Sequence, residues 1–236
     1  MGHWTTLDTA HGQVAAWHAV PEGAPRGGLV AAWHAVPEGA PRGGLVIIQE
    51  IFGVTAYIRE VADHYAAQGY EVLAPGLFDP VEKDAQLDYD QDGVNKGLEL
   101  VGALGFDKAL DIVQAAAQVL APAGKVGTVG YCWGGSVALL AAIRLGLPSV
   151  SYYGGRNTQF LDETPKAPVL FHFGARDSSI PPEAVQQHRE KLPRMQTYVY
   201  PAGHGFDRHV DPNHYDADSA DSARQRSLAF LAEHLG

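Results

Sequence analysis

The sequence predicts an α/β fold, with a mostly parallel central sheet and helices on both faces. Two observations carry this: from Gly44 onward short apolar runs alternate with longer amphipathic segments, and residues able to do chemistry follow the ends of the apolar runs. Such an order needs crossovers that pack on the sheet, and reactive groups then gather beyond the carboxyl ends of the strands. A chain of 236 residues, 46 % of them hydrophobic, suits one sizeable domain over residues 1–236.

The elements follow in order. Residues 45–49 form a continuous apolar run, as a strand covered on both faces requires. Residues 57–68 place Ile58, Val61, Ala62 and Tyr65 on one helical face, and Gly69 is a natural stop. Residues 70–74 read as the next strand, closed by Pro75. Residues 76–95 are polar and irregular, either an active-site loop or a solvated connection. Phe106, Leu110, Val113, Ala117 and Leu120 recur at helical spacing, so a long helix ends near Pro122. Strands are then expected at 125–130, 149–153, 169–173 and 197–200, and helices at 135–144, 182–191 and 218–234.

One stretch breaks the pattern. Residues 15–30 read AAWHAVPEGAPRGGLV and residues 31–46 repeat the same letters. Two copies are too few for a solenoid, and the unit resembles a strand, a turn and the start of another strand. Only the second copy runs directly into Ile47-Ile48-Gln49. It is therefore expected to supply the native hairpin, leaving the first as an edge segment, a loop, or an arm exchanged between molecules. A monomer is the base expectation, with a dimer as the alternative that such an arm would create.

Charge and composition narrow the partners. A formal net charge of -10 provides no diffuse basic field for a phosphate backbone, which argues against nucleic acid. Apolar runs are far short of a membrane span, and the opening Met1-Gly2-His3-Trp4-Thr5 lacks a basic and apolar leader, so a cytoplasmic location is expected. The single cysteine excludes an internal disulfide and a cysteine metal cluster. His204, His209 and His214 are the densest histidine group, but their spacing does not put them on one helical face, and no metal site is expected.

The strongest chemical signal is Gly130-Tyr131-Cys132-Trp133-Gly134-Gly135, between an expected strand and helix. G-x-C-x-G is the thiol form of a nucleophile turn: its central residue is strained, so its neighbours must be small. The following helix start favours thiolate over thiol, and the Trp133 N–H points at a developing oxyanion. A lone cysteine is ordinarily core filler, but the glycine frame reverses that reading. Asp177 follows one later strand and His204 the last, so nucleophile, acid and base occur in the order of the α/β-hydrolase fold. The second oxyanion donor is expected from Ile51 N–H, after the first central strand. Glu50 beside it is either a salt-bridge or helix-cap residue or a second acid near the thiol.

Together QEIFG at 49–53, LAP at 73–75, GYCWGG at 130–135, YYG at 152–154 and AGHGF at 202–206 resemble the dienelactone hydrolase family, from about Gly44 to the C-terminus. The resemblance implies a Cys132–His204–Asp177 triad, an oxyanion hole from the Ile51 and Trp133 amides, and a Glu50 that binds the resting thiol until substrate displaces it. It implies hydrolysis of an enol-lactone such as carboxymethylenebutenolide through a thioester acyl-enzyme, with no cofactor. Arg208 matches a family arginine that pairs with the substrate carboxylate, and Tyr152 a tyrosine lining the pocket. A second such arginine is expected after LAP, but Gly76-Leu77-Phe78-Asp79-Pro80 contains none. Losing a charge-assisted partner weakens selection for an anionic lactone. The alternatives are a promiscuous esterase, thioesterase or phosphoester hydrolase on the same triad, and a non-catalytic binding protein on the same scaffold.

Overall fold

A computed structural model describes residues 2–19 and 41–236. Backbone contacts group them into two units, one within residues 1–127 with 235–236 and one over 128–234.

The first unit holds strands β1 (His3–Thr9), β2 (Gly12–Ala19), β3 (Gly44–Ile48) and β4 (Glu71–Pro75), in the order β1-β2-β4-β3. The β1/β2 hairpin is antiparallel with Trp4 opposite Trp17, β2 lies antiparallel to β4, and β3 runs parallel to β4. All of β3 is buried, as its unbroken apolar run requires. Helix α1 (Ala56–Ala67) buries Tyr57, Ile58, Val61, Ala62 and Tyr65, the face expected from spacing.

Two expectations are corrected here. Strand β2 takes in residues 15–19 of the first copy and pairs on both sides, so that copy is neither an edge segment nor a loop there; the matching residues 31–35 of the second copy lie outside the described residues. Gly12, at φ 101°, turns the chain back after Ala10-His11, and the Thr9 hydroxyl donates to Gly12 O at 2.7 Å. The first copy thus pairs through a short loop, whose closure costs less entropy than a long one. The second copy supplies Gly44–Val46 to β3, and residues 20–40, with the proposed exchanged arm, lie outside the described residues. The second correction concerns the polar loop. Helix α2 (Gln91–Leu120) begins inside it, capped by Asp90, whose carboxylate accepts from Gly93 N at 2.8 Å. Gly105, at φ 75° and ψ 169°, breaks α2 into two helical stretches; the first buries Gly97, Leu100, Val101 and Leu104, and the second is the one expected from Phe106 to Leu120.

The second unit contains β5 (Val126–Tyr131, from Thr128 on), α3 (Trp133–Leu140), a π-helical turn (Ala141–Leu145), β6 (Ser149–Tyr152), β7 (Val169–Gly174), α4 (Pro182–Lys191), β8 (Gln196–Tyr200) and α5 (Ala217–His234). Its strands lie in the order β5-β6-β7-β8 and all run parallel, so their carboxyl ends share one edge. Cys132 follows β5, Asp177 follows β7 and His204 follows β8. Among the described residues no helix is long and apolar enough to cross a membrane.

Candidate active site

Cys132 sits in the one-residue turn between β5 and α3 at φ 54°, a left-handed conformation costly for any residue with a Cβ. Glycines make the turn feasible. A Cβ on Gly130 would stand 2.0 Å from Gly134 O, and one on Gly135 would stand 2.6 Å from Tyr152 O. Cys132 N donates to Tyr152 O at 3.0 Å, tying the turn to the end of β6. Trp133 is the first residue of α3, so its N–H is among those without an intrahelical acceptor.

The base reaches the sulfur. His204 Nε2 lies 3.2 Å from Cys132 Sγ, and Nδ1 donates to Asp177 Oδ2 at 2.7 Å. The second Asp177 oxygen accepts Ser179 N at 2.8 Å, and the side chain is wholly buried, so the carboxylate is fixed on both sides. Burial alone would lower the His204 pKa, but the Cys132 charge and the Asp177 hydrogen bond raise it to about 10. The arrangement places one imidazole between a sulfur and a carboxylate, within reach of both.

A buried polar chain beneath this site joins three strands to α5. Tyr200 hydroxyl pairs with His172 Nδ1 at 2.8 Å, and His172 Nε2 with Ser227 Oγ at 2.9 Å. Ser227 in turn meets the Tyr152 hydroxyl at 2.8 Å and donates to Ala223 O. Burial, assisted by Arg226, lowers the His172 pKa to about 3, so this imidazole stays neutral and serves as a structural link. Tyr152, expected to line the pocket, is fully buried in this chain and stacked on Tyr131 at 4.7 Å.

Arg208 lies four residues past His204, and its Nη2 donates to Asp211 Oδ2 at 2.9 Å. Asp211 was not foreseen from the sequence. Nor was Tyr153, which adopts φ 38° and sets its buried ring 5.0 Å from that of His204 and 5.4 Å from that of Phe206. A tyrosine pair before a glycine carries no sequence signal for a left-handed backbone. In the first unit, Glu50 is fully buried just past β3, and the neighbouring Gln49 Oε1 accepts Leu77 N at 3.0 Å. Ile51 follows, its carbonyl held so near α2 that a Cβ on Gly97 would stand 2.4 Å from it.

Comparison with known proteins gives the family and the fold. The profile of the dienelactone hydrolase family matches residues 30–235. The carboxymethylenebutenolidase of Pseudomonas putida is 35 % identical over 199 residues, covering 79 % of this chain and 84 % of that protein. Carboxymethylenebutenolidase 1 of Cupriavidus pinatubonensis is 31 % identical over 210 residues, with 79 % and 84 % covered. A crystal structure provisionally named a dienelactone hydrolase, from Klebsiella pneumoniae subsp. pneumoniae, superposes with a TM-score of 0.80 at 27 % identity over 99 % of each chain. A dienelactone hydrolase-like promiscuous phosphotriesterase from metagenomic libraries shares the fold at a TM-score of 0.72 and 22 % identity, over 100 % of this chain and 99 % of that one. The fold is the α/β-hydrolase fold.

Proposed function

The chain belongs to the dienelactone hydrolase family, and on that premise we propose that it hydrolyses ester or lactone bonds by attack of Cys132, through a thioester acyl-enzyme. The observation that carries the reading is the unbroken run from Cys132 Sγ through the His204 ring to the Asp177 carboxylate, at 3.2 and 2.7 Å.

In this reading the thiolate adds to the carbonyl carbon, and backbone amides of Trp133 and Ile51 receive the oxyanion. Collapse of the tetrahedral adduct expels the alkoxide, which takes the proton from His204 Nε2. The sulfur is now a neutral thioester, so the charge that helped to hold a proton on His204 is gone. The imidazole can then accept a proton from water, which attacks the thioester and releases the acid with the thiolate restored. Asp177 keeps Nδ1 protonated throughout, so Nε2 always faces the reaction. Ester and water yield acid and alcohol with no external redox partner or cofactor. Between turnovers the proton returns from His204 to the sulfur, and Glu50 is proposed to bind this resting thiol until substrate displaces it and the cysteine ionises again. The burial of Glu50 beside β3 and the family resemblance support that role.

The test is turnover of p-nitrophenyl esters and of a neutral lactone by the wild type and by Cys132→Ala, with mass spectrometry of the stalled enzyme. The expected outcome is loss of turnover by about a millionfold in the variant, and an adduct of acyl mass on Cys132 in the wild type. Turnover surviving in Cys132→Ala overturns the triad, and a wild type that binds ester without any adduct favours a non-catalytic scaffold. A phosphotriester and an acyl thioester in the same panel measure the alternative substrate classes.

A further inference from the structure

The loop that carries His204 continues through two acid–base pairs. Asp207, almost fully buried, accepts from Arg224 Nη2 of α5 at 3.2 Å. Arg208, whose side chain is 6 % exposed, donates from Nη2 to Asp211 Oδ2 at 2.9 Å. Asp211 is itself fixed: Oδ1 accepts Asn213 N at 3.2 Å, and Oδ2 also accepts His214 Nδ1 at 2.7 Å. The Arg208 guanidinium stands 3.2–3.3 Å from where a Cβ on Gly205 would project, so it lies against the residue next to the base. A buried guanidinium in that position would ordinarily receive an anion. Here the chain provides one.

We propose that Asp211 is a specificity-determining residue: by occupying Arg208 it cancels the positive charge on the wall beside His204, so the site selects neutral acyl groups over acyl groups bearing a carboxylate. The proposal rests on the hydrolase reading above. An incoming carboxylate would have to displace a partner already held by a charge-assisted hydrogen bond in a desolvated setting, and removing one member of such a pair is costly. Burial opposes the Asp211 charge, but the hydrogen bonds from Arg208 and His214 hold its carboxyl below the usual range, so it stays anionic at neutral pH.

The experiment compares p-nitrophenyl butyrate with p-nitrophenyl hemisuccinate, which differ by a methyl against a carboxylate at the acyl terminus, after subtraction of background hydrolysis. In the wild type kcat/KM for the neutral ester should exceed that for the anion by about tenfold. Asp211→Asn keeps the size, removes the charge, and should move the ratio about tenfold toward the anion. Adding Arg208→Met to that variant should return the ratio to its wild-type value. A wild type that prefers hemisuccinate overturns the proposal without any variant, as does a folded Asp211→Asn with an unchanged ratio. Cys132→Ala separates the two claims. If it still hydrolyses the butyrate, the hydrolase reading falls and this proposal with it; if it does not, the ratio judges Asp211 alone.

Discussion

Two aspartates in the second unit accept a hydrogen bond from a histidine Nδ1 at the same distance, 2.7 Å: Asp177 from His204, and Asp211 from His214. On local geometry they are the same motif. They differ in what else each group touches. In both, the second carboxylate oxygen takes the backbone amide two residues on, from Ser179 and from Asn213, but the far nitrogen of His204 faces a sulfur at 3.2 Å. The Asp211 oxygen that holds His214 is shared with Arg208, and His214 is 47 % exposed. An aspartate orients a base when it serves that histidine alone and the ring has a nucleophile beyond it. When a guanidinium shares the carboxylate and the ring opens to water, the same hydrogen bond becomes part of an ion-pair cluster.

Substitution at the two sites can break this contrast. Asp177→Asn removes the charge that keeps Nδ1 protonated, and kcat for an activated ester should fall by about ten-thousandfold. His214→Ala, at the matching position of the other pair, should leave kcat within about twofold, as expected for an exposed partner. Comparable losses at both sites would show that the Asp–His distance matters more than the surroundings.

The sequence made the first pair legible and hid the second. Cys132 could be read because a strained turn demands small neighbours, and Gly130, Gly134 and Gly135 are visible as letters. Asp177 could be read because it follows the apolar run of β7, and His204 because it follows the β-branched and aromatic run of β8. Arg208–Asp211–His214 is an arrangement of three irregular loop residues, with no period or breaker to mark it. The fold shows the same division. The parallel strands β5 to β8 were placed to within a residue or so: β5, β6 and β7 are buried almost throughout, and β8, where only Tyr200 is buried, shows through its β-branched and aromatic residues. Strand β1 was missed because Leu7 is its one buried position. The start of α2 was missed because Asp90 and the polar residues after it look like loop until the cap is seen. A perfect repeat offers no residue difference by which to choose a copy.

Alkylation sharpens the comparison at the ring itself. Iodoacetamide converts Cys132 to a neutral thioether, which removes the sulfur charge but leaves the Asp177 hydrogen bond. The His204 pKa, raised to about 10 in the free enzyme, should fall toward the ordinary imidazole value. A ring-carbon NMR titration of the alkylated and free protein measures the change. A midpoint that stays near its original value would mean that Asp177 alone holds the proton, and that the sulfur plays no electrostatic part.

Tyr153 provides the smallest effect and separates backbone strain from ring packing. Its φ of 38° strains any residue with a Cβ, while its ring packs on His204 at 5.0 Å. Tyr153→Ala and Tyr153→Gly delete the same ring, so they share the packing loss and the lower kcat that follows from a freer His204. They differ in the backbone. At an ordinary position glycine is the less stable of the two, because it loses more chain entropy on folding. Here relief of the left-handed strain should outweigh that cost, making the glycine variant the more stable by about 1 kcal/mol. Urea denaturation of the two variants gives the sign directly. An alanine variant as stable as the glycine one would mean that the turn relaxes once the ring is gone, so that the ring's hold on His204 and Phe206, rather than the backbone, sets the conformation of residue 153.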